Sequence, residues 1–303
     1  MIDFKGRVAI VTGAGGGLGK QHALALARRG AKVVVNDLGA ARDGSGGSGS
    51  AAQVVVDEIR AAGGEALANA ASVTDFAAVQ AMVQQAVDAW GRVDILVNNA
   101  GILRDKTFAK MELDDFRLVL DVHLMGAVHC TKAVWPIMMA QNYGRVVMTT
   151  SSSGLYGNFG QSNYGAAKLA LVGLMQTLAL EGAKHHIHVN CLAPTAATRM
   201  TEGLMPPEVL RALQPEAVVP AMLALAAENA PTRTILCAGA GSVEAAHITL
   251  TQGVWIGLDE GADLRLAQQL AQVTDRTNET VPGSGSAQGT LEVGRAMAML
   301  GKV

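Results

Sequence analysis

The 303-residue sequence has few cysteines, few aromatic residues and no large excess of charge of either sign. Its three cysteines, Cys130, Cys191 and Cys237, lie far apart, which excludes a disulfide framework and a zinc site built on paired cysteines. We expect them to be buried structural thiols. The formal net charge is -2 and the Lys and Arg residues are scattered, so the basic footprint that nucleic-acid binding requires is absent.

Long hydrophobic segments and metal-ligand spacings are also missing. The longest apolar run covers residues 169–180, which is shorter than the roughly 18 residues that span a bilayer, so we expect no membrane span. Histidines cluster at His185, His186 and His188 without HExxH spacing, and we expect no metal site. A strand begins almost at Met1 and the last residues are GKV rather than SKL, so we expect a cytoplasmic protein without a leader peptide.

Hydrophobic residues make up 50% of the chain and fall into short apolar runs that alternate with longer segments of helical spacing. The predicted strands cover residues 8–12, 32–36, 65–69, 94–97, 145–150, 187–192 and 234–238. The predicted helices cover residues 18–29, 51–62, 75–90, 113–140 and 163–183. Continuous apolar strands separated by helices indicate a parallel sheet with both faces buried. We therefore predict an α/β fold, a doubly wound parallel sheet of the Rossmann type.

Two segments rich in glycine and serine interrupt this pattern, at residues 39–50 and 282–286. The first predicts either a mobile surface loop or a flap over the adenosine end of a bound cofactor. The second separates a final helical stretch at residues 290–299 from the body of the chain. We predict one Rossmann-type domain over residues 1–258 and a C-terminal extension over residues 259–303, which either faces a partner subunit or frays.

A glycine-rich turn, TGAGGGLG at residues 12–19, follows the first strand and opens the first helix. Glycines at such a turn let backbone N–H groups approach a pyrophosphate at the positive end of the helix. Asp37 ends the second strand, where its carboxylate can bind a ribose 2′-hydroxyl and would repel a 2′-phosphate. Together they predict a dinucleotide site with NAD as the cofactor, the alternative being that Asp37 only caps the strand end.

Ser151, Tyr164 and Lys168 form the most specific pattern in the chain. Tyr164 and Lys168 are four residues apart on a predicted helix and so share one face, while Ser151 ends a predicted strand. An unperturbed phenol has a pKa near 10, so a tyrosine that acts as a base near neutrality needs a cation beside it, which Lys168 supplies. We predict that Tyr164 is the general base and that Ser151 hydrogen-bonds the substrate oxygen.

The glycine-rich turn, the NNAG sequence at residues 98–101 and the serine, tyrosine and lysine set together resemble the short-chain dehydrogenase/reductase family. The resemblance extends from residue 1 to about residue 240. Longer stretches at residues 91–111 and 154–168 resemble one subgroup, the (3R)-hydroxyacyl-CoA dehydrogenase domains of multifunctional enzymes. The resemblance implies a Rossmann fold, NAD-dependent chemistry on a secondary alcohol, and a homodimer or homotetramer.

The resemblance also implies cofactor contacts, position by position. They fall on the turn after the first strand, on the carboxyl ends of later strands and on the catalytic helix. The residues are Thr12, Gly13, Gly17, Leu18, Gly19, Asp37, Ser72, Val73, Asn98, Ala100, Gly101, Tyr164, Lys168, Pro194 and Thr198. Residues 156–161 are expected to border the substrate.

Three departures from the wider family pattern affect these expectations. His123 stands in a helix where many members have asparagine, although the subgroup also has histidine. It either completes a catalytic proton relay, lends its backbone to a water molecule, or packs against the sheet. Ala71 replaces the aspartate that usually meets the adenine, so adenine contact is expected to rest on Ser72 and main-chain atoms. Thr195 replaces the usual glycine after Pro194.

The activity that we expect is reversible hydride transfer between a (3R)-3-hydroxyacyl-CoA and NAD, with the 3-oxoacyl-CoA as product. Two alternatives stay open: oxidation of a hydroxysteroid or another lipophilic alcohol, and a non-catalytic NAD-binding sensor with the same fold. Four basic residues in loops either meet coenzyme A phosphates or are ordinary surface charges. They are Arg104, Lys106, Lys110 and Arg199.

Overall fold

The structure, a computed structural model, describes residues 2–41, 43–47, 50–197 and 207–301. Its strands are β1 Val8–Thr12, β2 Lys32–Asn36, β3 Ala66–Asn69, β4 Ile95–Asn98, β5 Gly144–Thr149, β6 Ile187–Pro194, β7 Ile235–Gly239 and β8 Ser242–Ala246. They form one sheet in the order β3-β2-β1-β4-β5-β6-β7-β8, and β1 to β7 pair in parallel. The strand order reverses between β1 and β4, as a doubly wound sheet requires.

The residues that the structure describes form eleven α-helices. They are α1 Gly17–Ala27, α2 Ser50–Ala61, α3 Phe76–Trp90, α4 Leu113–Leu120, α5 Gly126–Gln141, α6 Ser152–Tyr156, α7 Ser162–Gly182, α8 Pro207–Ala212, α9 Val219–Ala226, α10 Ala262–Val273 and α11 Ser286–Met299. Helix α1 packs against α2 and α9, whereas α3 packs against α5 and α4 packs against α7. The predicted α/β doubly wound fold is confirmed.

The strands and helices form where the sequence pattern places them because their apolar residues are buried and their ends carry suitable caps. Every residue of β1, β4 and β5 is buried, as a parallel sheet covered on both faces demands. Helix α3 begins after Asp75, whose carboxylate accepts the N–H groups of Ala77 and Ala78 at 2.9 and 3.1 Å. It ends at Gly91, which has a φ of 75°.

The structure differs from the predicted elements in several places, and helices α6, α8, α9 and α10 were not predicted. The predicted helix over residues 113–140 is interrupted by a π-helical turn at Asp121–Met125. Strand β8 was not predicted, because its residues are exposed and carry no continuous apolar signal. The segment Ser162–His185 is long and apolar enough to cross a membrane by length and composition, contrary to expectation. It is nevertheless a core helix, since it packs on β6 and buries Lys168.

The chain divides into two compact units, Met1–Ala245 and Ala246–Val303. The first contains the sheet with helices α1 to α9, and the second contains α10 and α11. The predicted boundary at residue 258 lies inside the second unit. Within that unit, Leu250 and Thr280 form an antiparallel bridge, and neither helix contains a buried residue.

A buried carboxylate ties β1 to β4 at the amino ends of the strands. Asp94 is fully buried; it accepts the N–H of Val8 at 2.9 Å and forms ion pairs with Arg7 at 3.2 Å and Arg92 at 2.6 Å. Such a carboxylate stabilises the fold only while its partners remain, and removing one side of a buried pair leaves unpaired charge. The amino ends of the strands are opposite to the edge where a parallel sheet binds ligands.

We expect Asp94→Ala to lower the free energy of unfolding by about 3 kcal/mol, because two guanidinium groups and one backbone N–H lose their acceptor. Urea denaturation measures this change. The matched control is Asp114→Ala, which removes an exposed ion pair with Arg117 and should cost no more than about 0.5 kcal/mol. Equal effects of the two substitutions would contradict the assignment.

Candidate active site

The carboxyl ends of β1, β4, β5 and β6 meet beside the point where the strand order reverses, which is where open α/β sheets bind ligands. The glycine-rich turn follows β1, the NNAG segment follows β4, and Ser151 follows β5. Tyr164 and Lys168 lie on α7, and Pro194 ends β6. Two residues considered from the sequence, Thr198 and Arg199, lie outside the described residues.

The turn after β1 is clamped to the turn after β4 by Thr12 and Asn99. The Thr12 hydroxyl accepts the N–H groups of Asn99 and Ala100 at 3.0 and 3.1 Å. In return, the Asn99 side-chain amide donates to the carbonyls of Thr12 and Gly13, both at 3.0 Å. Asn99 was not among the predicted contacts, although the second asparagine of NNAG marked its position. The clamp fixes the shape of the loop that would face a pyrophosphate.

Close packing explains two of the glycines in this turn. Gly13 has a φ of +62°, and a Cβ there would lie 2.8 Å from the Cα of Ala100. A Cβ on Gly19 would lie 2.2 Å from the Gly13 carbonyl oxygen and 2.6 Å from the amide nitrogen of the Asn99 side chain. Neither position can carry a side chain without moving backbone atoms.

Asp37 faces the glycine-rich turn rather than only capping β2. One carboxylate oxygen accepts the N–H of Gly15 at 2.7 Å, and the other accepts the N–H of Gly39 at 2.7 Å. Each oxygen has a further lone pair, so the carboxylate can still accept hydroxyl donors. This arrangement fits a ribose held at the end of β2 beside a helix N-terminus.

The segment after β3 is held without the aspartate that the wider family has there. The Asn36 side chain donates to the Asn69 side-chain oxygen at 3.0 Å and to the Ala71 carbonyl at 2.9 Å. The same Asn69 oxygen accepts the N–H of Ala71 at 2.9 Å. The Ser72 hydroxyl is hydrogen-bonded to Thr74, and Val73 is buried. The sequence analysis did not predict that Asn36 and Asn69 hold this segment, because both residues have the pattern of ordinary strand ends.

The structure brings Ser151, Tyr164 and Lys168 together. Ser151 is buried at the start of α6; its hydroxyl accepts the N–H of Ser153 at 3.1 Å, and it interacts with the Tyr164 hydroxyl in the sense that lowers the pKa of the phenol. The Lys168 ammonium nitrogen lies 5.5 Å from the centre of the Tyr164 ring and donates to the Thr149 carbonyl. Asn98 and Thr149 each keep a buried side-chain oxygen without a partner among the described residues. A bound polar ligand would satisfy such atoms.

Burial controls the protonation of the tyrosine and the lysine. Burial raises the pKa of Tyr164 above its ordinary value; the hydrogen bond with Ser151 acts in the opposite direction, and the nearby Asp105 carboxylate adds to the rise. Burial lowers the pKa of Lys168 to about 7. Burial thus acts against the charged form of both groups, whereas the sequence predicts that a lysine cation, with help from an oxidised nicotinamide, favours the phenolate.

A buried asparagine links the catalytic helix to the loop after β4. Asn163 accepts the N–H of Tyr164 at 2.7 Å through its side-chain oxygen and donates to the Arg104 carbonyl at 3.0 Å. The Arg104 and Lys106 side chains both form ion pairs with Asp115, at 2.6 and 3.2 Å. Two of the basic residues considered for coenzyme A phosphates are thus already paired. Asn163 was not predicted, since a lone polar residue before the tyrosine carries no signal.

His123 lies in the π-helical turn and is buried. Its ring meets the Tyr164 ring edge-on, with 5.1 Å between the ring centres. Of the predicted buried thiols, Cys130 and Cys191 are buried, and burial raises the pKa of each to about 12; Cys237 is only half-buried. Across the described ranges, no group of three potential metal ligands comes together.

The family described as short chain dehydrogenase matches residues 7–208. The chain belongs to this family. It is therefore an oxidoreductase enzyme of the short-chain type, and the family resemblance seen in the sequence is confirmed. Members of the family use NAD(H) or NADP(H).

Three known proteins are similar to this chain in sequence or in structure. A Mycobacterium tuberculosis protein named as a short-chain type dehydrogenase/reductase is 50% identical over 93% of this chain and 99% of its own. The solved structure of full-length peroxisomal multifunctional enzyme type 2 from Drosophila melanogaster has a TM-score of 0.80 and 39% identity, covering 98% of this chain and 51% of that one. A 7α-hydroxysteroid dehydrogenase solved with NADH and 7-oxo glycochenodeoxycholic acid has a TM-score of 0.71 and 31% identity, covering 79% of this chain and 95% of its own. The chain thus spans about half of the Drosophila enzyme but nearly all of the mycobacterial protein.

The glycine packing gives a direct test of the cofactor turn. We expect Gly19→Ala to abolish measurable NADH binding, because the added methyl group would displace the Gly13 carbonyl or the Asn99 side chain. Fluorescence titration of NADH measures the effect. The matched control is Gly173→Ala on α7, where a Cβ meets no atom within 4 Å. It should keep NADH affinity and raise stability by roughly 0.5–1 kcal/mol. Unchanged binding in Gly19→Ala would overturn the placement.

Proposed function

We propose that this enzyme oxidises (3R)-3-hydroxyacyl-CoA to 3-oxoacyl-CoA with NAD, and catalyses the reverse reduction. The observation that carries the proposal is the assembly of Ser151, Tyr164 and Lys168 at the carboxyl edge of the sheet, beside the clamped glycine turn. Similarity to multifunctional enzyme type 2 over 98% of this chain supports the acyl-CoA substrate. The sequence resemblance in the loops at residues 91–111 and 154–168 points the same way.

The chain's own residues provide the acid–base chemistry. Tyr164, as phenolate, accepts the hydroxyl proton of the substrate while Ser151 donates a hydrogen bond to the same oxygen. A bound nicotinamide would supply the hydride acceptor for C3 of the substrate, and its oxidised form would add a positive charge that favours the phenolate. Lys168, at the Thr149 carbonyl, is placed to hold the nicotinamide ribose. In the reductive direction Tyr164 returns the proton.

NAD rather than NADP fits the position of Asp37. Its carboxylate lies against the N–H groups of Gly15 and Gly39, so a 2′-phosphate would meet negative charge where a 2′-hydroxyl finds an acceptor. The residues that we propose for the cofactor lie on the turn after β1, which contacts this carboxylate, and on the turn after β4, which the hydrogen bonds between Thr12 and Asn99 join to the first turn.

We expect Asp37→Asn to weaken NAD binding by roughly tenfold, because a charged acceptor is replaced by a neutral one. The preference over NADP should shrink at the same time, since the repulsion is removed. Titration with both cofactors measures the two effects. Asp57→Asn on α2 serves as the control, because that exposed carboxylate accepts a hydrogen bond from Gln53 on its own helix at 2.7 Å. A full NAD preference retained in Asp37→Asn would contradict the assignment.

Absorbance at 340 nm tests the reaction with (3R)- and (3S)-hydroxyacyl-CoAs, a hydroxysteroid, and both cofactors. We expect turnover on the (3R)-acyl-CoA with NAD. Turnover on the steroid alone would move the substrate to the hydroxysteroid alternative, and binding of NAD without any turnover would favour a sensor.

Tyr164→Phe should lower turnover by at least about a thousandfold with NADH affinity retained. Tyr143→Phe, which alters a tyrosine stacked under Arg7 and Arg145, should keep the activity.

Self-association forms part of the proposal. Helix α7 leaves Leu169 and Leu180 about half exposed, and α4 exposes Leu113. Apolar side chains on such helices favour a partner surface over water. The proposed homodimer or homotetramer would cover these positions.

A further inference from the structure

The segment after β3, residues 71–73, is held in place through its backbone carbonyls. The carbonyl of residue 71 accepts the side-chain amide of Asn36 at 2.9 Å, and that of residue 72 accepts the N–H of Asp75 at 3.1 Å. The carbonyl of Val73 lies 2.9 Å from Nδ1 of His129, which belongs to α5. Because a carbonyl oxygen only accepts, Nδ1 of this imidazole carries a proton and is the donor. Three consecutive carbonyls therefore have partners outside the segment.

Helix α5 reaches Val73 through two residues that lie one turn apart on the same face. A Cβ on Gly126 would lie 2.6 Å from Cγ2 of Val73, so the glycine leaves the space that the buried valine side chain occupies. His129, three residues later, reaches the carbonyl of the same valine. The imidazole also packs against Phe76, the first residue of α3, with 5.5 Å between the ring centres. Packing thus fixes both the valine and the ring that bonds it.

Peptide planarity carries this restraint from the carbonyls to the neighbouring N–H groups. In a trans peptide, the carbonyl of one residue and the N–H of the next lie in one plane and point in opposite directions. The bonds to the carbonyls of residues 71 and 72 therefore set the directions of the N–H groups of Ser72 and Val73. The bond from His129 fixes the peptide plane on the other side of Val73. Neither of these two N–H groups has an acceptor in the described part of the chain.

The two unpaired donors lie next to the proposed ribose site. Strand β3 pairs with β2, and the N–H of Asp37 bonds the Asn69 carbonyl at 3.0 Å where both strands end. The ring nitrogens of a purine accept hydrogen bonds, so a fixed backbone donor beside a ribose-binding carboxylate suits an adenine. The unpaired N–H groups thus fit the adenine end of NAD.

We propose that His129 is a positioning residue for the adenine end of the cofactor, which holds Val73 so that the backbone donors of residues 72 and 73 stay fixed for the base. This inference rests on the proposed function, in which the site binds NAD. A donor that is already fixed loses little conformational freedom when a ligand binds, so more of its hydrogen-bond energy contributes to affinity. His129 acts through the main chain of this segment and has no part in proton or hydride transfer.

Two variants test this role through cofactor binding. His129→Leu removes the donor, so we expect the NADH Kd to rise by roughly three- to tenfold, and His129→Gln, which keeps a side-chain N–H, should recover most of that loss. Reduced nicotinamide mononucleotide, which lacks adenosine, should bind the parent and both variants equally. AMP, as a competitor of NADH, should lose the same factor as NADH. Fluorescence titration measures the two nicotinamide compounds, and displacement of NADH measures AMP.

His188→Leu is the matched control. Nδ1 of His188 lies 2.7 Å from the Ala230 carbonyl, and this partly buried residue stands near the amino end of β6, at the edge opposite to ligand binding. It should lower the Tm about as much as His129→Leu does and leave the NADH Kd unchanged. If His129→Leu does not fold, His129→Met, which also lacks a donor, carries the same titrations.

An unchanged NADH Kd in folded His129→Leu would overturn the proposal. Equal losses for NADH and for the mononucleotide would also overturn it, because they would show a general disturbance of the site. A His129→Gln variant that binds NADH no better than His129→Leu would show that the hydrogen bond to Val73 is not what matters.

Hydrogen exchange separates this test from the proposed reaction. Without any cofactor, peptides covering residues 70–75 should exchange their amide hydrogens faster in His129→Leu than in the parent protein, and unchanged exchange would overturn the positioning role. If the parent enzyme oxidises none of the alcohols or prefers NADPH, the proposed function fails while the positioning role stands. Adenine is common to both cofactors, so NADPH then replaces NADH as the probe.

Discussion

The clamp between Thr12 and Asn99 is the interaction on which the rest of the site depends. At the reversal of strand order, the connections after β1 and β4 run to opposite faces of the sheet, and a groove opens between them. Four hydrogen bonds cross that groove, two to the Thr12 hydroxyl and two from the Asn99 side-chain amide. They satisfy backbone groups that neither strand can pair, and they hold the glycine turn open toward a ligand.

The catalytic pair exploits burial in a different way. A lysine whose pKa is near 7 and a tyrosine whose pKa is raised are both uncharged more often than they would be in water. Because the uncharged forms are favoured, the desolvation free energy of burying the two side chains side by side is smaller than it would be for two charged groups. Under the proposed function, the positive charge of an oxidised nicotinamide would favour the phenolate, so that deprotonation of Tyr164 would be coupled to cofactor binding.

Much of this arrangement could be predicted from the sequence. The strand pattern predicted β1 to β7 to within one or two residues per strand, because residues buried on both faces must be apolar; it did not predict the exposed strand β8. The Ser151, Tyr164 and Lys168 spacing predicted three side chains that the structure brings together, since helical geometry places the last two on one face. The sequence did not predict the roles of Asn99, Asn163 and Asn36. Each of them acts through one or two hydrogen bonds to the backbone, and an isolated asparagine is compatible with many positions in a fold. The protonation of Lys168 also needed the structure, because burial depends on the whole fold.

The segment after β4 is where these features meet. Asn99 reaches back to the glycine turn, Ile102 contacts His123, and the Arg104 carbonyl accepts from Asn163 on the catalytic helix. The cofactor loop and the catalytic helix are thus attached to one short stretch of chain, which has little freedom to move one without the other. The His123 ring fills the space beside Gly101, where a Cβ would collide with the ring atoms, so a side chain at position 101 could not be added without moving the imidazole or the loop.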